Sequence, residues 1–145
     1  MDDGGPALFR LVRYWSRRWA RGVALETGDD ASVPQHVLVV DAVDALRRAG
    51  GEATIGQVAR QLGLDRSGAS RMVAAAAEKG YLEQRRAHSD ARRSVVALTA
   101  AGQDLLDQSH QWQRAKFIEL TADWSSSVRA TFARYLERLA RDVEA

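Results

Sequence analysis

The chain has 145 residues, contains no cysteine and carries a formal net charge of +2 at pH 7. This length fits one domain, or one folding unit completed by a partner, and the lack of thiols excludes disulfides, thiol redox sensing and cysteine-ligated zinc. No secretory signal follows Met1 and the apolar runs are too short to cross a membrane, so we expect a cytoplasmic protein.

The positive charge is concentrated in one short segment. Residues 60–93 hold eight Lys or Arg against four Asp or Glu, a net charge of +4, which leaves −2 for the remainder of the chain. Basic residues gathered in this way suit a polyanionic partner, but they are equally typical of a solvated face. Charge alone leaves both interpretations open.

The chain begins with two predicted helices. Over about residues 7–25 apolar side chains recur at steps of three or four and arginines take the opposite side, which indicates an amphipathic helix. A second helix is predicted over about residues 34–49, with Pro34 in its first turn and Gly50–Gly51 ending it. In this second helix we expect Leu38, Val39, Ala42, Val43 and Leu46 to face inward, and Asp41, Asp44 and Arg48 to face outward.

Residues 54–80 predict a helix-turn-helix. Thr54 and Gln57 form a capping box, which opens the first of the two helices. Gly63 supplies a turn position that tolerates positive φ, and Asp65 caps the second helix, which runs to the end of this segment.

The side chains of this motif fit two closely crossing helices. Ala59 is small enough for the crossing point. We expect burial of Val58, Leu62, Leu64, Ala69 and Met72. The exposed N-terminal face of the second helix is small, polar and basic, and the free N–H groups and dipole at a helix N-terminus also favour phosphate. This combination disfavours the alternative of an ordinary helical hairpin. The face consists of Arg66, Ser67, Gly68, Ser70 and Arg71.

Two short alternating strands, 81–86 and 94–98, would add a wing to the helix-turn-helix. The turn between them carries Asp90, Arg92 and Arg93. A wing beside a recognition helix can reach the adjacent minor groove, whose narrow A·T stretches attract arginine. We therefore interpret Arg92 and Arg93 as DNA contacts. Asp90 can brace the loop or pair with Arg92 or Arg71, which would fix the direction of the guanidinium group.

Two more helices complete the chain. Thr99 caps a helix that runs to about Leu120, and Ser125 or Ser126 caps the last one. Apolar stripes on the first and last helices are larger than the central module can cover, so we expect them to be buried against a second copy. The first stripe is Leu8, Val12, Trp15, Trp19 and Val23, and the last is Val128, Phe132, Leu136, Leu139 and Val143.

The predicted fold is therefore mainly α with a small β-hairpin, in a single domain over residues 1–145. Residues 34–98 would form a winged helix-turn-helix that binds DNA. Residues 7–33 and 99–145 would form dimerisation helices.

The wing resembles that of the MarR family, the multiple antibiotic resistance regulators. In the stretch GYLEQRRAHSDARRSVVALTAAG the matching residues are Asp90, Arg92, Leu98, Thr99 and Gly102. The stretch LDRSGASRMV resembles the family's recognition helix at Ser67, Ser70 and Arg71. The helix order matches along nearly the whole chain, the outer helices in pattern only. Ala76 stands where the family usually has a leucine, and Ala87 where a proline is common, which would loosen the wing tip.

The resemblance implies a homodimeric winged-helix repressor. It would bind a pseudo-palindromic operator and release it when a small, commonly aromatic ligand binds. Ser67, Ser70 and Arg71, with Arg66 as an additional candidate, would meet bases and phosphates in the major groove. Arg92, supported by Arg93, would enter the minor groove or meet its backbone. The candidate DNA contacts are Thr54, Arg66, Ser67, Gly68, Ser70, Arg71, Asp90, Arg92 and Arg93.

The tryptophans Trp15, Trp19, Trp112 and Trp124 lie outside the DNA module. We favour them as anchors of a dimer core. The alternative is that some line an effector pocket, and the candidate ligand-binding residues are then Trp15, Trp19, His36 and Trp112. A metal sensor would use His36, His110, Glu26 and Asp107, which lack the spacing of a tight site.

Other classes of function fit less well. The sequence shows no nucleophile-base-acid set, no glycine-rich phosphate loop and no HExxH motif, so we expect neither catalysis nor a cofactor. Three alternatives to a ligand-released repressor stay open: a winged-helix protein-interaction module without DNA binding, a metal-tuned DNA-binding regulator and a ligand-independent one.

Overall fold

The computed structural model describes residues 3–27, 33–87 and 92–144, with residues 17 and 19–27 described by their backbone alone. Its elements in chain order are α1 (Gly4–Thr27), α2 (Val33–Arg48), α3 (Ile55–Leu62), α4 (Arg66–Glu78), β1 (Leu82–Arg86), β2 (Ser94–Leu98), α5 (Ala100–Leu120) and α6 (Ser126–Glu144). The mainly helical fold with one antiparallel hairpin is therefore confirmed. Two compact units make up the chain, Met1–Trp112 and Gln113–Ala145.

Helix α2 is the centre of the first unit, where it packs against α1, α3, α4 and β2. Its side chains Val39, Val40 and Val43 are fully buried together with Val58 of α3 and Val73 of α4. Each such valine contributes roughly 1.5–3 kcal/mol through removal of its surface from water. The core that holds the helix-turn-helix is thus built mainly from β-branched residues on α2.

Two expected orientations on α2 are wrong. Asp44 is buried, because it continues a second inward row formed by Val33, Val37 and Val40 at steps of three and four. The Nε of Arg48 donates to its carboxylate at 2.8 Å. Leu38 is 45% exposed instead of buried. Leu38 lies outside the rows of α2 that face the core.

The turn chemistry of the helix-turn-helix is confirmed. Thr54 Oγ1 accepts from the amide of Gln57 at 3.2 Å, and the amide of Thr54 donates to Gln57 Oε1 at 2.9 Å. Gly63 has φ +67°, and Asp65 caps α4 by accepting from the amide of Gly68 at 2.9 Å. Ala59 is buried at the crossing of α3 and α4, as expected.

Leu64 is a further correction, since it is 42% exposed although we expected it to be buried. It lies in the turn between Gly63 and Asp65, where its backbone amide bonds to Ala59 O at 2.9 Å. Its side chain and that of Leu38 line one open cleft of about 620 Å³ beside α4. The other predicted motif residues, Val58, Leu62, Ala69 and Met72, are buried in the core or packed against it.

The wing is held in place by strand pairing. Strands β1 and β2 pair antiparallel from Leu82↔Leu98 to Arg86↔Ser94, and β2 also meets the segment before α3. There the amide of Val96 donates to Ala53 O at 2.8 Å. The amide of Ala87 donates to Arg93 O at 2.9 Å, a bond that a proline at this position could not make. Alanine therefore adds a bond at the end of the strands next to the turn; residues 88–91 of the turn lie outside the described residues.

The start of α5 is fixed by a close approach to the end of the helix-turn-helix. Thr99 caps α5 by accepting from the amide of Gly102 at 3.1 Å, and its hydroxyl also donates to Gly80 O. A Cβ on Gly102 would lie 2.0 Å from Tyr81 O. Only glycine fits at this point.

In the second unit the end of α5 and the helix α6 are joined by an aromatic cluster. Phe132 stacks on Phe117 at 6.0 Å and meets Trp124 edge-on at 5.2 Å. Arg129 donates to the hydroxyl of Thr121 at 2.9 Å and to its carbonyl at 2.7 Å. Of the two serines considered as caps for α6, Ser125 is the one that accepts an amide, from Val128 at 3.3 Å.

Apolar side chains on the terminal helices are left exposed in the single chain. On α1 they include Leu8 and Val12, 40% and 56% exposed, and on α6 Val128, Leu136, Leu139 and Val143, 37–77% exposed. Within the described part of the chain, no helix is long and apolar enough to pass through a membrane.

Candidate nucleic-acid interface

The N-terminal face of α4 is presented to solvent as a polar and basic surface. Arg66, Ser67, Ser70 and Arg71 are exposed, and Gly68 is half-buried. The side chains that hold this face in place lie beneath it, since Ala69, Val73 and Ala76 of the same helix are fully buried. The small Ala76 that replaces the family's usual leucine is thus accommodated in the core without exposure.

Asp65 organises the first turn of this face. It accepts from the amide of Gly68 and from Ser67 Oγ, the latter at 3.1 Å. These two bonds, in that order, and then the charge of Arg71 hold the pKa of the Asp65 carboxyl below its ordinary value of 3.8. A Cβ on Gly68 would lie 2.6 Å from Asp65 Oδ1, so Gly68 leaves room for the cap. Ser67 is accordingly engaged with the cap in this structure.

A second basic surface lies where the wing meets the start of α3. A cavity of about 320 Å³ is lined by Thr54, Ile55, Gly56, Arg66, Arg92, Arg93 and Ser94. The structure therefore brings together four of the predicted DNA contacts, Thr54, Arg66, Arg92 and Arg93. Asp90, the proposed brace of the wing, lies outside the described residues. Arg71 has Asp65 as a charged neighbour.

Glu52 is a residue of this surface that the sequence reasoning missed. Its Oε2 lies 3.8 Å from Arg93 Nη1, and the two side chains are 43% and 49% exposed. No local signal pointed to Glu52, because its position follows from the pairing of β2 with the segment before α3. A glutamate just ahead of a capping box is otherwise ordinary.

The candidate ligand residues fall into two aromatic contacts. Trp15 of α1 meets Trp112 of α5 edge-on at 6.0 Å, and Tyr14 meets Trp15 at 5.5 Å. His36 is buried in α2 and lies 5.5 Å from the ring of Tyr81. The side chain of Trp19 lies outside what is described. Trp15 and Trp112 are thus brought together, while His36 contacts a different ring.

Two of the residues considered for a metal sensor, Asp107 and His110, lie on α5, and His36 lies on α2. His110 Nε2 lies 3.6 Å from Asp41 Oδ1. Among the residues that the structure describes, no three His, Cys, Asp or Glu side chains are grouped as metal ligands. The side chain of Glu26 is not described.

Comparison with known families identifies the central module. Residues 36–93, from the first turn of α2 to the turn of the wing, match the sequence model of the MarR family. No curated protein matches the sequence.

Solved structures with the same fold cover nearly the whole chain. A MarR mutant from E. coli is 20% identical, with a TM-score of 0.68 over 97% of this chain and 98% of that one. PcaV from Streptomyces coelicolor, solved with its natural ligand, is 21% identical, with a TM-score of 0.60 over 97% and 96% of the two chains. A MepR mutant from S. aureus, bound to an oligodeoxyribonucleotide, is 15% identical, with a TM-score of 0.62 over 95% and 96%.

These likenesses extend the fold beyond the segment that the sequence model matches. The helix-turn-helix and wing carry the family's sequence pattern, and the outer helices complete its architecture. The chain thus carries a MarR-family sequence match over residues 36–93, within a fold that is similar to MarR-family structures along nearly its whole length.

Proposed function

We propose that this protein is a sequence-specific DNA-binding transcription regulator that represses a pseudo-palindromic operator as a homodimer. The observation that carries the proposal is the exposed face of Arg66, Ser67, Ser70 and Arg71 at the start of α4. Helix α4 is held in place by its buried face and presents short polar and basic groups on its exposed face. A helix of this kind fits into the major groove of DNA. The MepR structure with bound oligodeoxyribonucleotide supports the same use of this fold.

Within this surface the residues have different proposed roles. Arg71 reads base edges, because an arginine can donate two parallel hydrogen bonds to guanine. Ser70 and Arg66 contact bases or phosphates next to the one that Arg71 reads. Ser67 makes such a contact after giving up its hydrogen bond to Asp65. Arg92 and Arg93 extend the contact to the neighbouring minor groove or its backbone. Thr54 and Gly68 serve the interface by shaping the helix ends on which these side chains stand.

The exposed apolar stripes of α1 and α6 support a homodimer. Burying Leu8 and Val12, and on α6 Leu136, Leu139 and Val143, against a second copy would remove from water the apolar area that one chain leaves exposed. A two-fold dimer also matches a pseudo-palindrome, because it places two recognition helices on successive turns of the major groove, roughly 34 Å apart.

Release by a small ligand is the regulatory part of the proposal. The Trp15–Trp112 contact gives an aromatic surface outside the DNA module, and His36 lies buried against Tyr81. The structure of PcaV with its natural ligand supports ligand binding in a protein of this fold. A thermal-shift screen with aromatic acids and with divalent metal ions separates ligand release from metal tuning and from a ligand-independent regulator.

The direct test is selection of bound duplexes from random DNA by the purified protein, followed by an electrophoretic shift with the enriched sequence. We expect enrichment of a pseudo-palindrome whose half-sites are one helical turn apart. A protein that enriches no sequence and shifts no duplex would instead be a winged-helix protein-interaction module.

A further inference from the structure

The cavity between the turn end of the wing and the start of α3 is a defined part of the basic surface. Its lining comes from three separate elements: the start of α3, Arg66 at the first position of α4, and Arg92 to Ser94 at the start of β2. Three arginines therefore face one space of about 320 Å³. Arginine presents a fork of donors that fits two oxygens of one phosphate group.

The walls of this cavity are tied to one another by backbone bonds. Thr54 caps α3 and also pairs with Val95 of β2, so the helix start and the wing are joined through the backbone. The bond from the amide of Val96 to Ala53 O adds to this connection, and the bond from Ala87 to Arg93 O holds the backbone of Arg93. A site with fixed walls loses little order when an anion enters it.

Among the residues that the structure describes, Glu52 is an acidic side chain that pairs with an arginine of the cavity. Glu52 lies 3.8 Å from Arg93, and both side chains are about half exposed. Such an exposed pair is weak and is readily exchanged for a stronger partner. A phosphate offers Arg93 a fixed negative charge and two acceptor oxygens, whereas Glu52 makes only this long contact.

We propose that this cavity is a seat for a single DNA backbone phosphate, held by Arg66 and Arg93 together with Arg92, and that Glu52 competes with that phosphate for Arg93. The proposal rests on the DNA binding proposed above and deepens it. A DNA phosphate fits better than a free anion, because Arg66 belongs both to the cavity and to the recognition face of α4. The strand read by α4 therefore passes the cavity.

The seat makes Arg66 and Arg93 partners in one contact, which a phosphate-by-phosphate measurement can detect. The experiment uses the full-length protein and the selected duplex, with a neutral methylphosphonate placed at each backbone position in turn. For the unmodified protein we expect one position in each half-site where the neutral linkage weakens binding roughly tenfold, the fold-change of one lost charge-assisted hydrogen bond. At that position Arg66→Ala and Arg93→Ala should each lose most of this sensitivity.

Arg85→Ala is the matched control. Arg85 lies on the same hairpin and carries the same charge, but it pairs with Glu83 and does not line the cavity. This variant should retain the full response at the seat position. Circular dichroism melting of each variant verifies folding, which exposed arginines should not affect. If Arg66→Ala and Arg93→Ala lose sensitivity at different phosphates, or at none, the single seat is overturned. Failure of the unmodified protein to bind any duplex would overturn the proposed function as well.

Glu52→Gln tests the competition. Removing the acidic competitor should tighten binding by about two- to fivefold, the range expected for an exposed ion pair. In an Arg93→Ala background the same change should have little effect, because the residue for which Glu52 competes is gone. Equal tightening in both backgrounds would show that Glu52 only repels DNA at long range, and the competition would be rejected.

Discussion

Single residues set the local geometry on which the interface stands. Gly102 passes so close to Tyr81 that any side chain would meet a backbone carbonyl, and Asp65 holds the first turn of α4 through two hydrogen bonds. Both residues are recognisable in the sequence, Asp65 as a helix cap and Gly102 through the family resemblance. The reason for Gly102 is visible only in three dimensions, because Tyr81 is distant in the chain.

Gly102→Ala should destabilise the protein. The added Cβ would lie 2.0 Å from Tyr81 O, so either α5 or the end of the helix-turn-helix must shift. We expect a loss of about 3 kcal/mol in the free energy of unfolding, the upper end of the usual overpacking cost, measured by urea denaturation. Gly56→Ala is the control, since a Cβ there meets nothing within 4 Å and alanine favours a helix. A Gly102→Ala protein as stable as the parent would refute the close approach.

Asp65 should make helix α4 sensitive to acid. Because its folded pKa lies below the ordinary 3.8, its contribution to stability is complete above that value and is lost as the pH falls through the lowered folded pKa. The parent protein and Asp65→Asn should therefore differ in free energy of unfolding by a constant amount near neutrality. Below about pH 4 this difference should become smaller. Unfolding curves over a pH series measure this difference. A difference that stays constant into the acid range would show that the carboxyl has an ordinary pKa.

At the scale of elements, the caps and turns were predicted well and the inward faces less well. Capping boxes and turn glycines are local, so residues such as Thr54 and Gly63 identify their elements without knowledge of the rest. Asp44 was misplaced because a helix covered on several sides has a broader buried arc than one apolar stripe predicts, whereas Leu38 and Leu64 were misplaced because an apolar side chain need not face the core. The cavity between the wing and the start of α3 was not predictable, since it depends on the pairing of β2 with residues 53–54.

The corner between α5 and α6 supplies a prediction at this scale. Arg129 donates to the carbonyl of Thr121 at the end of α5, where a cation also complements the helix dipole. Arg129→Ala should remove about 1.5–3 kcal/mol of local stability, the range for hydrogen bonds that involve a charged group. Amide hydrogen exchange in residues 117–124 measures the loss. Arg138→Ala, a change of the same kind at an exposed position on α6, is the control and should leave that exchange unchanged. Equal protection in both variants would rule out the contact between Arg129 and Thr121.

The whole molecule is proposed to be a dimer because its terminal helices leave several large apolar side chains exposed. The sequence predicted this from uncovered stripes alone, and the exposure of those side chains is what the structure adds. The assembly itself stays a prediction.

Leu136→Asp should convert the dimer to a monomer. The substitution places an unpaired charge among apolar side chains, at a cost of several kcal/mol in the proposed interface. Sedimentation velocity at micromolar concentration measures the outcome. Leu38→Asp is the control, because Leu38 is a similarly exposed leucine that lies outside the terminal helices. A parent protein that sediments as a monomer would contradict the proposed assembly.

The central claim is that the exposed face of α4 reads DNA sequence, and Arg71 tests it most directly. The affinities of the parent protein and of Arg71→Ala are measured for the selected operator and for a scrambled duplex, at one salt concentration. A base contact is worth roughly 1–3 kcal/mol of discrimination, so the ratio of the two affinities should fall by about tenfold or more in the variant. If Arg71→Ala weakens both duplexes by the same factor, Arg71 contacts only phosphate and the reading role assigned to α4 is contradicted.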